Sequence, residues 1–211
     1  MLEAVSALSC LQVNPTILTI AKLDRLLGHA STHSDATSII YASDMILSIY
    51  SDTSFNSRPQ SKSVAGGYHY LSRTDDPHFL NAAIVNVCST IPVVCGAVSE
   101  AELAALYGNL QVAVEERAIL ASLGCPQPPT RVLCDNECAV GLSSDTVRKK
   151  KSKSIDHRFD WVRDRVRQLQ FVVSYCPGPD NLADFFTKSL PVHVFTLLAP
   201  FFATPARTPP L

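Results

Sequence analysis

The segment RVLCDNECAVGL, residues 131–142, ends a short run of strand formers on a carboxylate and restarts at once with helix-compatible residues. Two readings of Asp135 compete. It can be a helix N-cap, because the side-chain oxygens of Asp and Asn accept the unpaired N–H groups of a first helical turn. It can instead be a residue that a strand delivers to a metal ion. The choice depends on whether other carboxylates fall at comparable places. The two cysteines that flank it, Cys134 and Cys138, read as buried small hydrophobes rather than ligands. No CxxC pair supports a zinc site.

Working outward, a Pro-rich linker, PQPPT, precedes the strand, and a long helical pattern from Ala97 to Leu123 precedes the linker. Gly124 then suits the position after a helix end. Leu103, Leu106, Tyr107, Leu110 and Val114 form the apolar stripe of that helix. Glu100 and Glu102 both lie near its start. On this phase Glu100 is nearer the sheet-facing side, so it is the expected site residue. Upstream, TSIIYASDMILSIYSDTSF reads as two strands around a turn at Ala42 to Asp44, the second delivering Asp52 at its end. VAGGYHYLS is a strand whose double glycine implies a bulge or a close backbone approach. AAIVNVC is a further strand. Residues 15–29 form an amphipathic helix opened by Pro15, and GHASTHSDAT is a loop in which His29 and His33 are surface residues. Downstream, Ile155 to Gln170 is a helix with Ile155, Phe159, Val162, Val166 and Leu169 on one face and Arg158, Arg163, Arg165 and Arg167 off it. FVVSYC is a strand, PGPD a turn, and NLADFFTKSL a helix that carries Asp184. The fold class expected is α/β: a mixed sheet with helices on both faces.

Composition bounds the rest. The chain has 211 residues, 46% of them hydrophobic, a formal net charge of -1 and a pI near 6.6. That supplies a core and excludes a globally basic protein, so any nucleic-acid binding rests on a local patch. Seven cysteines without a tight pattern argue against a secreted disulfide scaffold. The N-terminus lacks the basic segment of a signal peptide. The uncharged run from Phe79 to Ser99 holds Asn81, Asn86 and Pro92 and reads as strand and turn, not a membrane span. The expected setting is intracellular, cytoplasmic or nuclear. The tail ATPARTPPL reads as disordered.

Asp52, Glu100, Asp135 and Asp184 thus stand at strand ends and helix starts. Carboxylates that share a site oppose each other's ionisation. Divalent cations remove that cost, and Mg2+ prefers hard oxygen ligands. Two metals about 3.5–4 Å apart can clamp the attacking water and the leaving oxygen of a phosphoryl displacement.

The motifs YSDTSF, AVSEAELAALY, LCDNECAVGL, KSKSIDHRFDWVRDRVRQ and NLADFFTKSLP occur in the order and spacing of the ribonuclease H domain of copia-type LTR retrotransposon polyproteins, which this chain resembles from about Met45 to Pro191. The resemblance implies a five-stranded mixed sheet flanked by helices. It implies Asp52, Glu100, Asp135 and Asp184 as catalytic and metal-binding acids, with two Mg2+ ions as cofactor or Mn2+ in their place. It also implies cleavage of the RNA strand of RNA/DNA hybrids. Residues 1–44 resemble the connection between polymerase and ribonuclease, which makes the polymerase part of the same polyprotein an expected partner and the chain a piece of a longer element. Residues 192–211 form a C-terminal tail. Two departures stand out: there is no Tyr-X-Asp-Asp polymerase motif, and CSTIP puts Thr90 where a Lys is expected. Two other readings share the pattern, an inactive nucleic-acid-binding remnant and a DNA-processing nuclease or integrase. The basic run Arg148, Lys149, Lys150, Lys151 and Lys153, with Arg158 on the next helix, is the expected phosphate-binding surface. Trp161 is expected to be partly buried.

Overall fold

The computed structural model describes residues 1–74, 81–143, 156–202 and 204–205. Its centre is a five-stranded sheet in the order β4-β3-β2-β5-β6. Strands β2 (Ile46–Arg58), β3 (Lys62–Ser72) and β4 (Ala83–Thr90) form an antiparallel meander. Strand β5 (Thr130–Cys134) runs parallel to β2, and β6 (Phe171–Tyr175) runs parallel to β5. A two-residue pair, β1 (Ala36–Thr37) with β7 (Thr204–Pro205), lies apart from it.

Period-two alternation divides the side chains between two layers. Leu47 and Ile49 of β2, Leu71 of β3, Val132 of β5, and Phe171 and Val173 of β6 form one buried cluster. It is covered by α3 (Val98–Ser122) through Leu103, Leu106 and Leu110, and by α5 (Asp156–Arg167) through Phe159 and Val162. Truncating any of these buried aliphatic side chains to Ala is worth about 2–5 kcal/mol. Tyr50, Tyr68, Tyr70 and Leu133 form the opposite face, against Leu182, Ala183 and Phe186 in and beside α6 (Asp184–Thr187). Helices therefore cover both faces, as the sequence pattern requires.

Several elements depart from expectation. Helix α2 (Ile17–Thr32) runs past His29, its expected end, because Thr32 and His33 both hydrogen-bond carbonyls one turn back. Residues 38–44 form no strand. Tyr41 is instead held by the side chain of Asn81, which accepts from its N–H at 2.8 Å and donates to its carbonyl at 2.9 Å. The side chain stands in for a paired strand. Leu169 is 69% exposed and not in the core stripe. Helix α5 stops before it, and Leu169 takes φ 57° while Gln170 N–H bonds the Arg165 carbonyl at 3.1 Å, a Schellman stop. Within the tail, α7 (Val192–Phe202) is helical and sets Leu198 and Phe202 against the second cluster; of residues 203–211, expected to be disordered, Thr204–Pro205 instead pair with β1, and the rest lie outside the described residues. Two further helices, α1 (Leu2–Ser9) and α4 (Glu137–Ser143), complete the set, with Glu3 of α1 paired to Arg58 at 2.9 Å. Among the described residues, no helix is long and apolar enough to cross a membrane.

Candidate metal centre

Asp135 is the first residue beyond β5, and its neighbour answers the capping question. The Asn136 side chain accepts the Ala139 N–H at 2.9 Å, and its carbonyl accepts from Val140. Asn136 is the cap of α4, so Asp135 is not needed as one. Asp52 lies inside β2, opposite Gly66 of β3, not at a strand end as expected. The strand that ends here is β5, whose Cys134 pairs with Ser51. Asp184 opens α6 from the second layer. Asp52, Asp135 and Asp184 each bring a carboxylate oxygen within 4.8 Å of the other two.

Glu100 does not join them. Its carboxylate accepts the Gly96 N–H at 2.8 Å and closes the turn before α3. The glutamate that reaches the cluster is Glu102, 4% exposed and close to Asp135 and Cys134. The physical reason is the phase of α3. Its buried face consists of Ala101, Ala104, Ala105, Asn109, Ala113 and Glu116 as well as leucines, and a stripe drawn through the large apolar residues alone misplaces it. Cys134 is buried as expected, whereas Cys138 is exposed.

The electrostatics follow from burial. Asp52 is 1% exposed. Loss of water and then the Asp184 carboxylate push its carboxyl up to about 7, against the opposing pull of Lys188 and the Thr187 hydroxyl. Burial, then Asp52 and Asp135, push Glu102 up to about 9. Three carboxylate oxygens here, Asp52 Oδ1, Asp135 Oδ1 and Glu102 Oε2, are buried with no hydrogen-bond partner among the described residues. An acceptor left in that state is costly. The Lys188 ammonium supplies part of the missing positive charge, 2.5 Å from Asp184 and 3.5 Å from Asp52 Oδ1. A donor set of hard oxygens of one sign, three of them without a hydrogen bond among the described residues, fits a divalent cation such as Mg2+ or Mn2+.

Other side chains hold these acids in place. Asp184, Thr187 and Lys188 share one face of α6 by their i, i+3, i+4 spacing, and the Thr187 hydroxyl donates to Asp52 Oδ2. Asn181, buried, donates to the Ser51 carbonyl at 3.0 Å and ties α6 to β2. From the opposite layer, Asn109 of α3 donates to Ser51 Oγ and to the Gly66 carbonyl, both at 2.9 Å. His69 and Glu116, 2.7 Å apart, back Asn109 within the core. The glycine pair makes this convergence possible. A Cβ on Gly66 would lie 2.4 Å from Thr187 Cγ2, and one on Gly67 would lie 2.0 Å from Asn109 Oδ1. Sequence reasoning missed Asn109, Asn181, Thr187 and Lys188; the last three sit in the segment quoted for Asp184, and their helical spacing is the signal that finds them.

The basic run Arg148, Lys149, Lys150, Lys151 and Lys153 lies outside the described residues. Arg158 is half-buried on α5. Trp161 is half-buried, as expected, edge-on to Tyr107 with ring centroids 5.2 Å apart.

No family model matches the chain. The retrovirus-related Pol polyprotein from transposon TNT 1-94 of Nicotiana tabacum is 27% identical over 155 residues, covering 74% of this chain. The match covers only 11% of that polyprotein. Among solved structures, the LC11-RNase H1 isolated from compost by a metagenomic approach superposes with a TM-score of 0.50 at 16% identity, covering 68% of this chain and 93% of that one. The N-terminal RNase H domain of a Mycobacterium tuberculosis protein gives a TM-score of 0.49 at 18% identity, over 74% and 97%. The chain therefore has an RNase H-like fold, a five-stranded mixed sheet with helices, and is similar over most of its length to a small part of a retrotransposon polyprotein.

Proposed function

We propose that this chain is a metal-dependent endonuclease of copia-type descent that hydrolyses the RNA strand of RNA/DNA hybrids. The observation that carries the reading is the carboxylate triad Asp52, Asp135 and Asp184, with Glu102 beside it and buried oxygens left unpartnered. In this reading Glu102 replaces Glu100 as the fourth acid. Bound Mg2+, or Mn2+ in its place, would activate water and stabilise the leaving 3′ oxygen. The protein's own part is to hold four acids in register from four elements, through Asn109 and Asn181, and to keep Lys188 at hand as a counter-charge. Arg148, Lys149, Lys150, Lys151, Lys153 and Arg158 would position the duplex through its phosphates, without reading sequence. Residues 45–191 would form the nuclease domain, 1–44 a connecting segment toward the polymerase part of a polyprotein, and 192–211 a tail.

The test is a cleavage assay of the purified chain on labelled RNA/DNA hybrid, double-stranded RNA and double-stranded DNA, with Mg2+ and with chelator. Hybrid-specific, Mg2+-dependent cleavage is expected, abolished in Asp52→Asn. Cleavage of double-stranded DNA alone would favour a DNA-processing enzyme, and duplex binding without cleavage an inactive remnant.

A further inference from the structure

Asp135 belongs to a second donor set that the reaction above does not require. Along β5 the side chains alternate, so Leu133 packs with the tyrosine layer while Val132 and Cys134 face the α3 side. Glu102 approaches from that helix. The Cys134 sulfur, a Glu102 oxygen and an Asp135 oxygen all lie within 4.8 Å of one another. Cys134 is fully buried, and Glu102 and Asp135 each point a buried, unpartnered oxygen from their carboxylates. One sulfur with two carboxylates is not an Mg2+ donor set, since that ion takes oxygen ligands. It matches Zn2+, which accepts thiolate at about 2.3 Å and carboxylate at about 2.0–2.2 Å, and which with three protein ligands keeps a fourth position for water. Thiolate ligation selects soft and borderline cations over Mg2+.

We propose that Glu102, Cys134 and Asp135 form a seat for a thiophilic divalent cation, Zn2+ or Cd2+, whose occupancy withdraws Asp135 from the neighbouring oxygen triad and so stops Mg2+-dependent cleavage. The seat stands on its own geometry; the inhibition rests on the nuclease reading. Coordination replaces the thiol proton, which leaves to solvent, and no electron changes hands. Because Asp135, and Glu102 as the fourth acid of the nuclease reading, belong to both sets, the two cations compete for them, and excess Mg2+ relieves the inhibition only while the soft ion is scarce.

The probe is Cd2+ alone, titrated into the full chain in chelator-treated buffer and followed by the thiolate-to-cadmium charge-transfer band. The parent develops the band; Cys134→Ser loses that part of it, Glu102→Gln weakens the binding at least tenfold, and Asp52→Asn and Asp184→Asn keep it. Cys138→Ser, which alters an exposed thiol outside the set, leaves it unchanged. Circular dichroism checks each fold, and Cys134→Ala replaces the serine variant if that one unfolds. Equal bands and affinities in the parent and the Cys134 variants overturn the seat. A Cys134-dependent band with hybrid cleavage unaffected by Zn2+ overturns the inhibition and leaves the seat. A parent that never cleaves hybrid removes the nuclease reading without touching the spectroscopic result.

Discussion

Asp135 and Asn136 are adjacent, equally suited to capping, and assigned opposite duties by geometry. Asn136 holds the Ala139 N–H; Asp135 holds an unpartnered buried oxygen. Asn136→Ala should cost about 1 kcal/mol in denaturant titration, the usual worth of a cap, while Mg2+ binding by calorimetry persists. Asp135→Asn should hold or raise metal-free stability, since it relieves like-charge crowding, yet lose Mg2+ binding and cleavage. Exchanged phenotypes would reverse the assignment. The paired test on α3 is Glu102→Gln against Glu100→Gln: the first should cut hybrid cleavage by at least about a hundredfold, as for a group acting on the transition state, and the second should leave it within about twofold of the parent. Comparable losses in both would show that Glu102 has no special place. Asp135 was legible in the sequence because a strand must end before its helix can begin. Glu102 was not, because the face of α3 that meets the sheet carries alanines, an asparagine and a glutamate, and hydrophobic spacing cannot set the phase of such a face.

At the level of elements, the glycine pair in β3 was legible as a close approach, and the structure supplies the approaching groups: α6 on one face and Asn109 on the other. Gly66→Ala should therefore act on the centre from a distance. The new methyl group meets Thr187 Cγ2 and the Ala183 carbonyl at 3.0 Å, and the second is backbone that cannot rotate away. Overpacking of this kind costs about 1–3 kcal/mol, and here it pushes α6, with Asp184 and Lys188, off β2. Unfolding midpoints should fall and Mg2+ affinity should weaken, although no ligand is altered. Unchanged Mg2+ affinity in a destabilised protein would mean that α6 does not need this seat. Elements misread from sequence failed for local reasons. Residues 38–41 have strand-like composition, but the Asn81 side chain, far along the chain, takes both backbone hydrogen bonds of Tyr41. Leu169 fits the stripe of α5, but it lies beyond a stop that its own left-handed backbone creates.

Taken as a whole, the molecule stores repulsion. Its centre buries Asp52 and Glu102 among Asp135 and Asp184, with Lys188 the cation that approaches them among the described residues. Without metal, Asp52 and Glu102 are pushed to about 7 and about 9, whereas unfolded carboxylates titrate near about 4. Between those limits the folded chain binds more protons than the unfolded one, so stability falls as pH rises. The contribution is fully present below the unfolded values and is lost as pH passes through the folded ones. Divalent metal should act in the opposite sense. It binds the ionised carboxylates, so its affinity grows with pH, and it stabilises the fold by mass action. Urea titrations from about pH 5 to 8 should show a falling midpoint in chelator. With Mg2+ in excess the fall should flatten, the difference between the two curves widening toward high pH. Glu102→Gln removes one of the titrating groups and should shrink the metal-free slope, which ties the pH dependence to this centre. A parent and a Glu102→Gln variant with identical slopes, or an Mg2+ increment that does not vary with pH, would mean that the charge of the centre is not what couples this fold to its cation.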